Sequence, residues 1–209
     1  MHAAVSAVFP RRCAVCQTGS SELCRGCWGR LQAAPVMLSP AGIDWCGALL
    51  AYDGAGRTLL ARLKYRNERG AIVWLATGMA DLVRSAPLGD PYAAVTWAPT
   101  SAVRRRSRGF DQAELLARAI SRELDLPCRS LLVRAPGPPQ TGRTRHDRLD
   151  GPTFDLVGTG RTPPAVLLID DVITTGTTVS SAATVLRSAG VGRVDVVAAA
   201  TTLLKNSPG

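Results

Sequence analysis

The sequence predicts an α/β fold in which a central parallel sheet is flanked by helices and preceded by a small metal-binding module. Three observations carry this prediction. Residues 165–169, 177–189 and 194–200 read in order as an apolar strand, a helix and a second apolar strand, a βαβ unit whose strands run parallel. Residues 94–98, Ala-Val-Thr-Trp-Ala, read as a further buried strand that ends at Pro99. Four of the six cysteines crowd together near the start of the chain. With 209 residues, 46% hydrophobic and 20% charged, the composition is globular, and the chain can bury a core without disulfides.

The elements follow in order. Cys13-Ala-Val-Cys16 and Cys24-Arg-Gly-Cys27 are two CxxC knuckles, and two such turns can place four sulfurs tetrahedrally around one Zn²⁺ ion. Four thiolates leave no open ligand position, so the expected role is structural. An iron in a rubredoxin-like site, two disulfides and four unconnected thiols are the alternatives, and a cytoplasmic setting argues against disulfides. Residues 27–31 begin a short helix, and Pro35, Pro40 and Gly42 mark a linker. The expected division is a cysteine module and linker over residues 1–46 and a main domain over 47–209. Residues 47–52 read as a strand. Leu59, Leu60 and Leu63 recur at helical spacing across 57–64, where Lys64 can snorkel from an amphipathic face, and 72–83 is a second helical stretch. Residues 110–124 form an amphipathic helix with Leu115, Leu116, Ala119 and Ile120 on one face. Residues 136–152, rich in Gly, Pro, Thr and Arg, form a long loop. Cys46 and Cys128 stand alone and are assigned to packing.

Charge narrows the partners. Lys and Arg number 25 against 16 Asp and Glu, a formal net charge of +9, and only Lys64 and Lys205 are lysines. Residues 101–150 hold eleven arginines against six acids. Guanidinium groups suit phosphates, so a nucleic acid or a phosphorylated small molecule is expected. The run Arg104-Arg105-Arg106 by itself reads equally as a solvated face. No apolar run approaches the roughly 20 residues of a membrane span, and residues 1–10 lack the basic start of a secretory signal. The expectation is a cytoplasmic protein with no membrane insertion.

The most informative stretch is Val166-Leu-Leu-Ile-Asp170-Asp171-Val-Ile-Thr174-Thr175-Gly176-Thr177-Thr178. An apolar strand ends in two adjacent carboxylates, and a hydroxyl-rich turn with one glycine then opens a helix. Open α/β sheets bind ligands at the carboxyl ends of their strands. Two acids there can hydrogen-bond a ribose diol and lie near Mg²⁺. The Thr174–Thr178 turn offers backbone N–H groups and hydroxyls at a helix N-terminus, which suits a phosphate. Helix capping alone needs neither a double acid nor four threonines around a glycine. A receiver domain would place the acidic pair after its first strand, and neither GxxxxGK[ST] nor GxGxxG is present.

The Asp170–Thr178 stretch is similar to the phosphoribosyl-pyrophosphate (PRPP) motif of type I phosphoribosyltransferases. Joined to the four cysteines, it resembles the ComF (ComFC/GntX-like) family, named for competence for DNA uptake. Leu63-Lys64-Tyr65, Arg108-Gly109-Phe110-Asp111-Gln112-Ala113 and Gln140-Thr141 with Arg148 and Phe154 match in the family's order. Asp111 stands where members commonly carry Asn, and the 140s loop is unusually rich in proline and arginine. Arg108-Gly109-Phe110 can equally be architecture, with Phe110 as a hydrophobic staple and Asp111 as a cap.

The resemblance implies a type I phosphoribosyltransferase-like domain behind the zinc module. Asp170 and Asp171 would bind the ribose hydroxyls of PRPP and serve catalysis, and Thr174, Thr175, Gly176, Thr177 and Thr178 would hold its 5-phosphate. Pro99-Thr100-Ser101 would be the pyrophosphate loop, with Arg104 or Arg105 beside it and Mg²⁺ accompanying PRPP. Arg143, Arg145 and His146 would lie on a loop that closes over the site. Two functions follow from this resemblance. One is transfer of phosphoribose from PRPP to an unidentified acceptor. The other is a competence or DNA-processing factor that binds single-stranded DNA without turnover and meets other DNA-processing proteins, its pocket sensing PRPP or holding a phosphate. Stacking on single strands wants interleaved aromatics, and residues 101–150 hold only Phe110.

Overall fold

The computed structural model describes residues 12–19, 23–65, 71–87, 89, 91–135, 152–158 and 161–202. Its elements in chain order are α1 (Arg25–Trp28), β1 (Trp45–Ala51), α2 (Gly54–Tyr65), α3 (Ala71–Ser85), β2 (Ala94–Trp97), α4 (Ala102–Arg108) and α5 (Gln112–Glu123). They continue with β3 (Leu132–Arg134), β4 (Phe154–Leu156), β5 (Ala165–Ile173), α6 (Thr177–Ser188) and β6 (Arg193–Thr201). Four strands form one sheet in the order β1-β6-β5-β2, all parallel, and β3 and β4 pair as an antiparallel ribbon. The predicted class, a central parallel sheet with flanking helices and a cysteine cluster in front, is borne out.

The alternation of β5 and β6 divides the core into two halves. Leu167, Ile169, Val197 and Ala199 pack with Leu60 and Leu63 of α2, Leu75 and Met79 of α3, and Leu116 and Ile120 of α5. Val166, Leu168, Val194 and Val196 pack with Val179, Ala182 and Leu186 of α6 and with Leu132 and Phe154 of the ribbon. Burial on both faces is what near-continuous apolar strands require, since helices cover each side of a parallel sheet.

Three local features depart from the expected elements. β5 runs past Ile169 to Ile173, because β6 supplies a ladder partner from Ala165↔Arg193 to Ile173↔Thr201. The arginine run forms a helix, α4, begun by the Ser101 hydroxyl accepting from the Arg104 N–H at 3.3 Å and ended by Gly109 at φ +78°. α4 buries no residue, so it carries no apolar periodicity for the sequence to display. The three-residue strands β3 and β4 are likewise too short to show a pattern.

The cysteine module is tied to the rest by packing and by hydrogen bonds. Cys13, Ala14, Val15 and Cys27 are buried in the same cluster as Leu59, Leu63 and Leu75. Trp28 meets Trp74 of α3 edge-on, with ring centroids 5.1 Å apart. Part of the expected linker also pairs with the edge strand. Ala33 bridges Leu50 in antiparallel fashion, the Ala51 N–H donates to Gln32 O at 2.9 Å, and the Ala34 N–H donates to Leu49 O. An edge covered in this way is protected from pairing with another chain. Cys46 is buried and Cys128 partly so, as packing residues should be.

Candidate functional site

The site arises where the sheet parts. Pairing of β2 with β5 ends at Trp97↔Ile169, followed by one last bond from the Ala98 N–H to Ile169 O at 3.0 Å. β5 continues beside β6, so Asp170 and Asp171 stand where one neighbour has turned away. A cleft of about 270 Å³ opens there, at the carboxyl ends of the strands. Its walls come from β5, from the turn after β2, and from α2, α4, α5 and β3.

Asp170 is 8% exposed and its Oδ1 accepts the Asp171 N–H at 2.8 Å. Burial raises its pKa well above the usual carboxylate range, and the adjacent Asp171 charge adds to this. Lys64 and the Asp171 N–H act in the opposite direction. Lys64 of α2 reaches Asp171 directly, Nζ to Oδ2 at 2.9 Å. Asp111 is also buried, and burial raises its pKa. Its Oδ1 caps α5 by accepting from the Ala113 N–H at 3.0 Å, while its Oδ2 accepts the Thr100 N–H at 2.7 Å. One carboxylate therefore fixes the turn after β2 against the start of α5. Arg108 donates to Gln112 Oε1 at 3.0 Å. Arg134 enters from β3, its pKa lowered by burial and then by nearby Arg104. Four cations and three carboxylates thus line one crevice.

The structure brings together much of the predicted set and parts the rest. Asp170, Asp171, Thr174, Thr178, Pro99, Thr100 and Arg104 line the cleft. Ser101 serves as the α4 cap, and Arg105 turns to Glu114, 3.7 Å away, with most of its side chain in solvent. Thr175 and Gly176 line a second groove of about 300 Å³, walled by Pro35, Met37, Leu38, Thr201 and Thr202, and this groove shares Thr174 with the cleft. Thr177 Oγ1 lies 2.7 Å from Thr175 Oγ1. Gly176 is required twice over. It holds φ +78°, and a Cβ there would sit 2.8 Å from Pro40 Cγ. Arg143, Arg145 and His146 lie outside the described residues.

Tyr52, Lys64, Arg108, Asp111, Gln112 and Arg134 join the cleft although they were not placed there from sequence. Lys64, Arg108, Asp111 and Gln112 fall in Leu63–Tyr65 and Arg108–Ala113, two of the stretches that carry the family resemblance, and that was their signal. Arg134 had none.

The four cysteines converge as the knuckle spacing requires. The Sγ atoms of Cys13, Cys16, Cys24 and Cys27 all lie within 4.8 Å of one another, and Cys16 and Cys24 are 3.7 Å apart. A tetrahedron with Zn–S bonds of about 2.3 Å has edges of about 3.8 Å, so the donor set fits one ion. None of the four is joined to another by a disulfide in the structure. Burial pushes the Cys13 thiol up, but backbone N–H groups of Cys24, Cys16 and Val15 outweigh it and hold it at about 6. Burial pushes Cys27 up to about 11, against a 2.9 Å bond from the Arg30 guanidinium to its sulfur. The cluster can hold zinc.

A parallel-sheet domain with an acidic pair at a strand end, carrying a four-cysteine cluster, is the class these features define. The chain is 32% identical over 148 residues to Competence protein F of Haemophilus influenzae, covering 66% of this chain and 64% of that protein. It is 28% identical over 144 residues to Competence protein ComFC of Bacillus subtilis, covering 68% of this chain and 58% of that protein. The resemblance to the ComF family is borne out. The chain spans about three-fifths of the length of these curated relatives. No family profile matches. Among solved structures, the chain is similar to the allosteric regulatory enzyme of purine biosynthesis (TM-score 0.42, 21% identity, 63% of this chain and 26% of that one). Similar too are glutamine PRPP amidotransferase from B. subtilis (0.43, 21%, 63% and 26%) and Trypanosoma cruzi hypoxanthine phosphoribosyl transferase (0.36, 16%, 62% and 62%). Among the described residues, no helix is long and apolar enough to cross a membrane.

Proposed function

We propose that this is a cytoplasmic PRPP-binding protein of phosphoribosyltransferase type that transfers phosphoribose to an acceptor and releases pyrophosphate. The observation that carries the reading is the convergence in one crevice of Asp170, Asp171, the Thr174 and Thr178 end of the hydroxyl turn, and the Pro99-Thr100 turn with Arg104. In this reading residues 1–46 are a zinc-stapled module and residues 47–209 the catalytic domain.

Each group has a task that its position suits. Asp170 and Asp171 accept hydrogen bonds from the two ribose hydroxyls and so orient the sugar. Thr174 and Thr178, with the backbone N–H groups that open α6, receive the 5-phosphate, and Thr175, Gly176 and Thr177 set the shape of that turn. The Thr100 turn, pinned by Asp111, and Arg104 receive the pyrophosphate, with Arg108 and Arg134 adding positive charge. As the bond between the anomeric carbon and the pyrophosphate oxygen breaks, charge grows on the leaving group, and these fixed cations stabilise it. The acceptor then bonds to the anomeric carbon. Mg²⁺ fits this oxygen-donor set, and Asp170, Asp171 and the ligand's own oxygens would hold it. When bound it would supply positive charge against the departing pyrophosphate. Arg143 and Arg145 are assigned to closing the site against water.

Calorimetric titration of the zinc-loaded protein with PRPP and Mg²⁺ tests the reading. Saturable binding is expected, with at least a hundredfold loss in the Asp170→Asn/Asp171→Asn double variant. Absence of binding at millimolar PRPP in folded protein would sink it. Pyrophosphate release on addition of candidate acceptors then tests turnover.

The exposed arginines of α4 favour a second reading, a competence factor that binds single-stranded DNA or DNA-processing partners without turnover, in keeping with the names of the curated relatives. Through phosphates alone, such binding would weaken steeply with salt, and it would survive the double acidic variant.

A further inference from the structure

We propose that Lys64 is the cleft's own exchangeable cation, which neutralises the acidic pair while the cleft is empty and releases Asp171 to a divalent cation when ligand enters. The inference rests on the PRPP reading for its ligand arm, and its metal arm stands apart from that reading.

β5 delivers two carboxylates side by side, one of them 8% exposed. Among the described residues, the other charged groups that reach this crevice are Lys64 from α2, Arg104 and Arg108 from α4, Asp111 at the N-cap of α5 and Arg134 from β3. Lys64 makes a direct 2.9 Å ion pair with Asp171, with 15% and 17% of the two side chains exposed. That is buried enough to matter and open enough to be displaced. Its helix does not need to move. Leu59, Leu60 and Leu63 anchor α2 at 0–1% exposure, while the flexible lysine stem can swing the ammonium across the cleft.

The residue type supports exchange. The chain uses 23 arginines and two lysines, and Lys64 is the one lysine among the described residues. A guanidinium would lock the carboxylate in a two-pronged grip. An ammonium is a compact point charge, which a divalent ion can replace on the same oxygen. Once displaced, Lys64 remains in the cleft to meet an anionic group of the ligand.

The test reads two ligands whose affinities should move in opposite directions. Mn²⁺ alone is titrated into zinc-loaded, full-length protein and followed by the electron paramagnetic resonance of free Mn²⁺. Mg-PRPP is titrated calorimetrically. Lys64→Met should bind Mn²⁺ about tenfold more tightly than the unaltered protein and Mg-PRPP about tenfold more weakly. Lys64→Arg should keep Mn²⁺ binding weak, and the Asp170→Asn/Asp171→Asn variant should abolish it. A purely structural lysine would weaken both ligands together when removed, so unchanged or weaker Mn²⁺ binding in Lys64→Met overturns the proposal. If Lys64→Met does not melt cooperatively, Lys64→Gln carries the same test. Unfolding of both, with Lys64→Arg folded, would make Lys64 a structural cation and overturn the exchange. If the unaltered protein binds no Mg-PRPP, the proposed function fails, and the Mn²⁺ comparison still decides the role of Lys64.

Discussion

The two ends of the central sheet each bury an aspartate, and they treat it in opposite ways. At the amino end Asp195 is 1% exposed, and its Oδ2 accepts from the Tyr92 hydroxyl at 2.8 Å with Arg193 Nε 3.2 Å away. Arg193 also lies over the Tyr92 ring at 4.9 Å, and neighbouring Asp44 accepts the Val194 N–H and pairs with Arg187. At the carboxyl end Asp170 is 8% exposed and accepts one backbone N–H, with a second carboxylate beside it. Burial raises the pKa of both acids. A shifted acid by itself therefore does not distinguish a site from a structural network. What does is the surrounding space. Asp195 is enclosed by groups that serve it, whereas Asp170 lines an open cleft with its like-charged neighbour.

Breaking the enclosed end should have the largest effect. Asp195→Ala leaves Tyr92 and Arg193 without their carboxylate and should cost about 3 kcal/mol. For a chain of this size that is a fall of roughly 6–12 °C in thermal midpoint. PRPP affinity should stay unchanged, and a parallel loss of affinity would show the two ends to be coupled.

The open end should respond in the reverse sense. Since the pKa of Asp170 is raised in the fold, its protonation stabilises the protein. That contribution is fully present below the ordinary value of 3.8 and is lost as pH rises through the folded pKa. Denaturant melts of unaltered protein and Asp170→Asn should show the unaltered protein losing ground to the variant as pH rises. A difference independent of pH would mean that Asp170 titrates normally.

The smallest effect compares neighbours on α4. Arg104→Ala should weaken Mg-PRPP binding about tenfold, the scale of one charge-assisted hydrogen bond, and Arg105→Ala less than twofold. Equal losses would return the arginine run to a general electrostatic role.

Much of this was legible in the sequence for local reasons. The CxxC spacing brings its sulfurs together through short turns, and the apolar run ending in Asp170-Asp171 marks a buried parallel strand with acids at its carboxyl end. The threonine turn was legible as a unit, but only its Thr174 and Thr178 reach the cleft, while Thr175 and Gly176 face the groove beside Pro40. Arg104 and Arg105 were indistinguishable in a charge run, yet one step along a helix turns a side chain by about 100°. One thus faces the cleft and the other Glu114.

The sequence by itself determined the elements whose signal is periodicity or fixed spacing: the sheet strands, the long helices and the cysteine cluster. The tertiary structure alone decided which charges meet. Lys64 reaches Asp171 because the leucine face of α2 packs on the sheet, and Arg134 reaches the cleft because a short ribbon packs on the other face. Backbone periodicity is a local property readable from a few residues, whereas the meeting of side chains over a hundred residues apart is fixed only when the core closes between them.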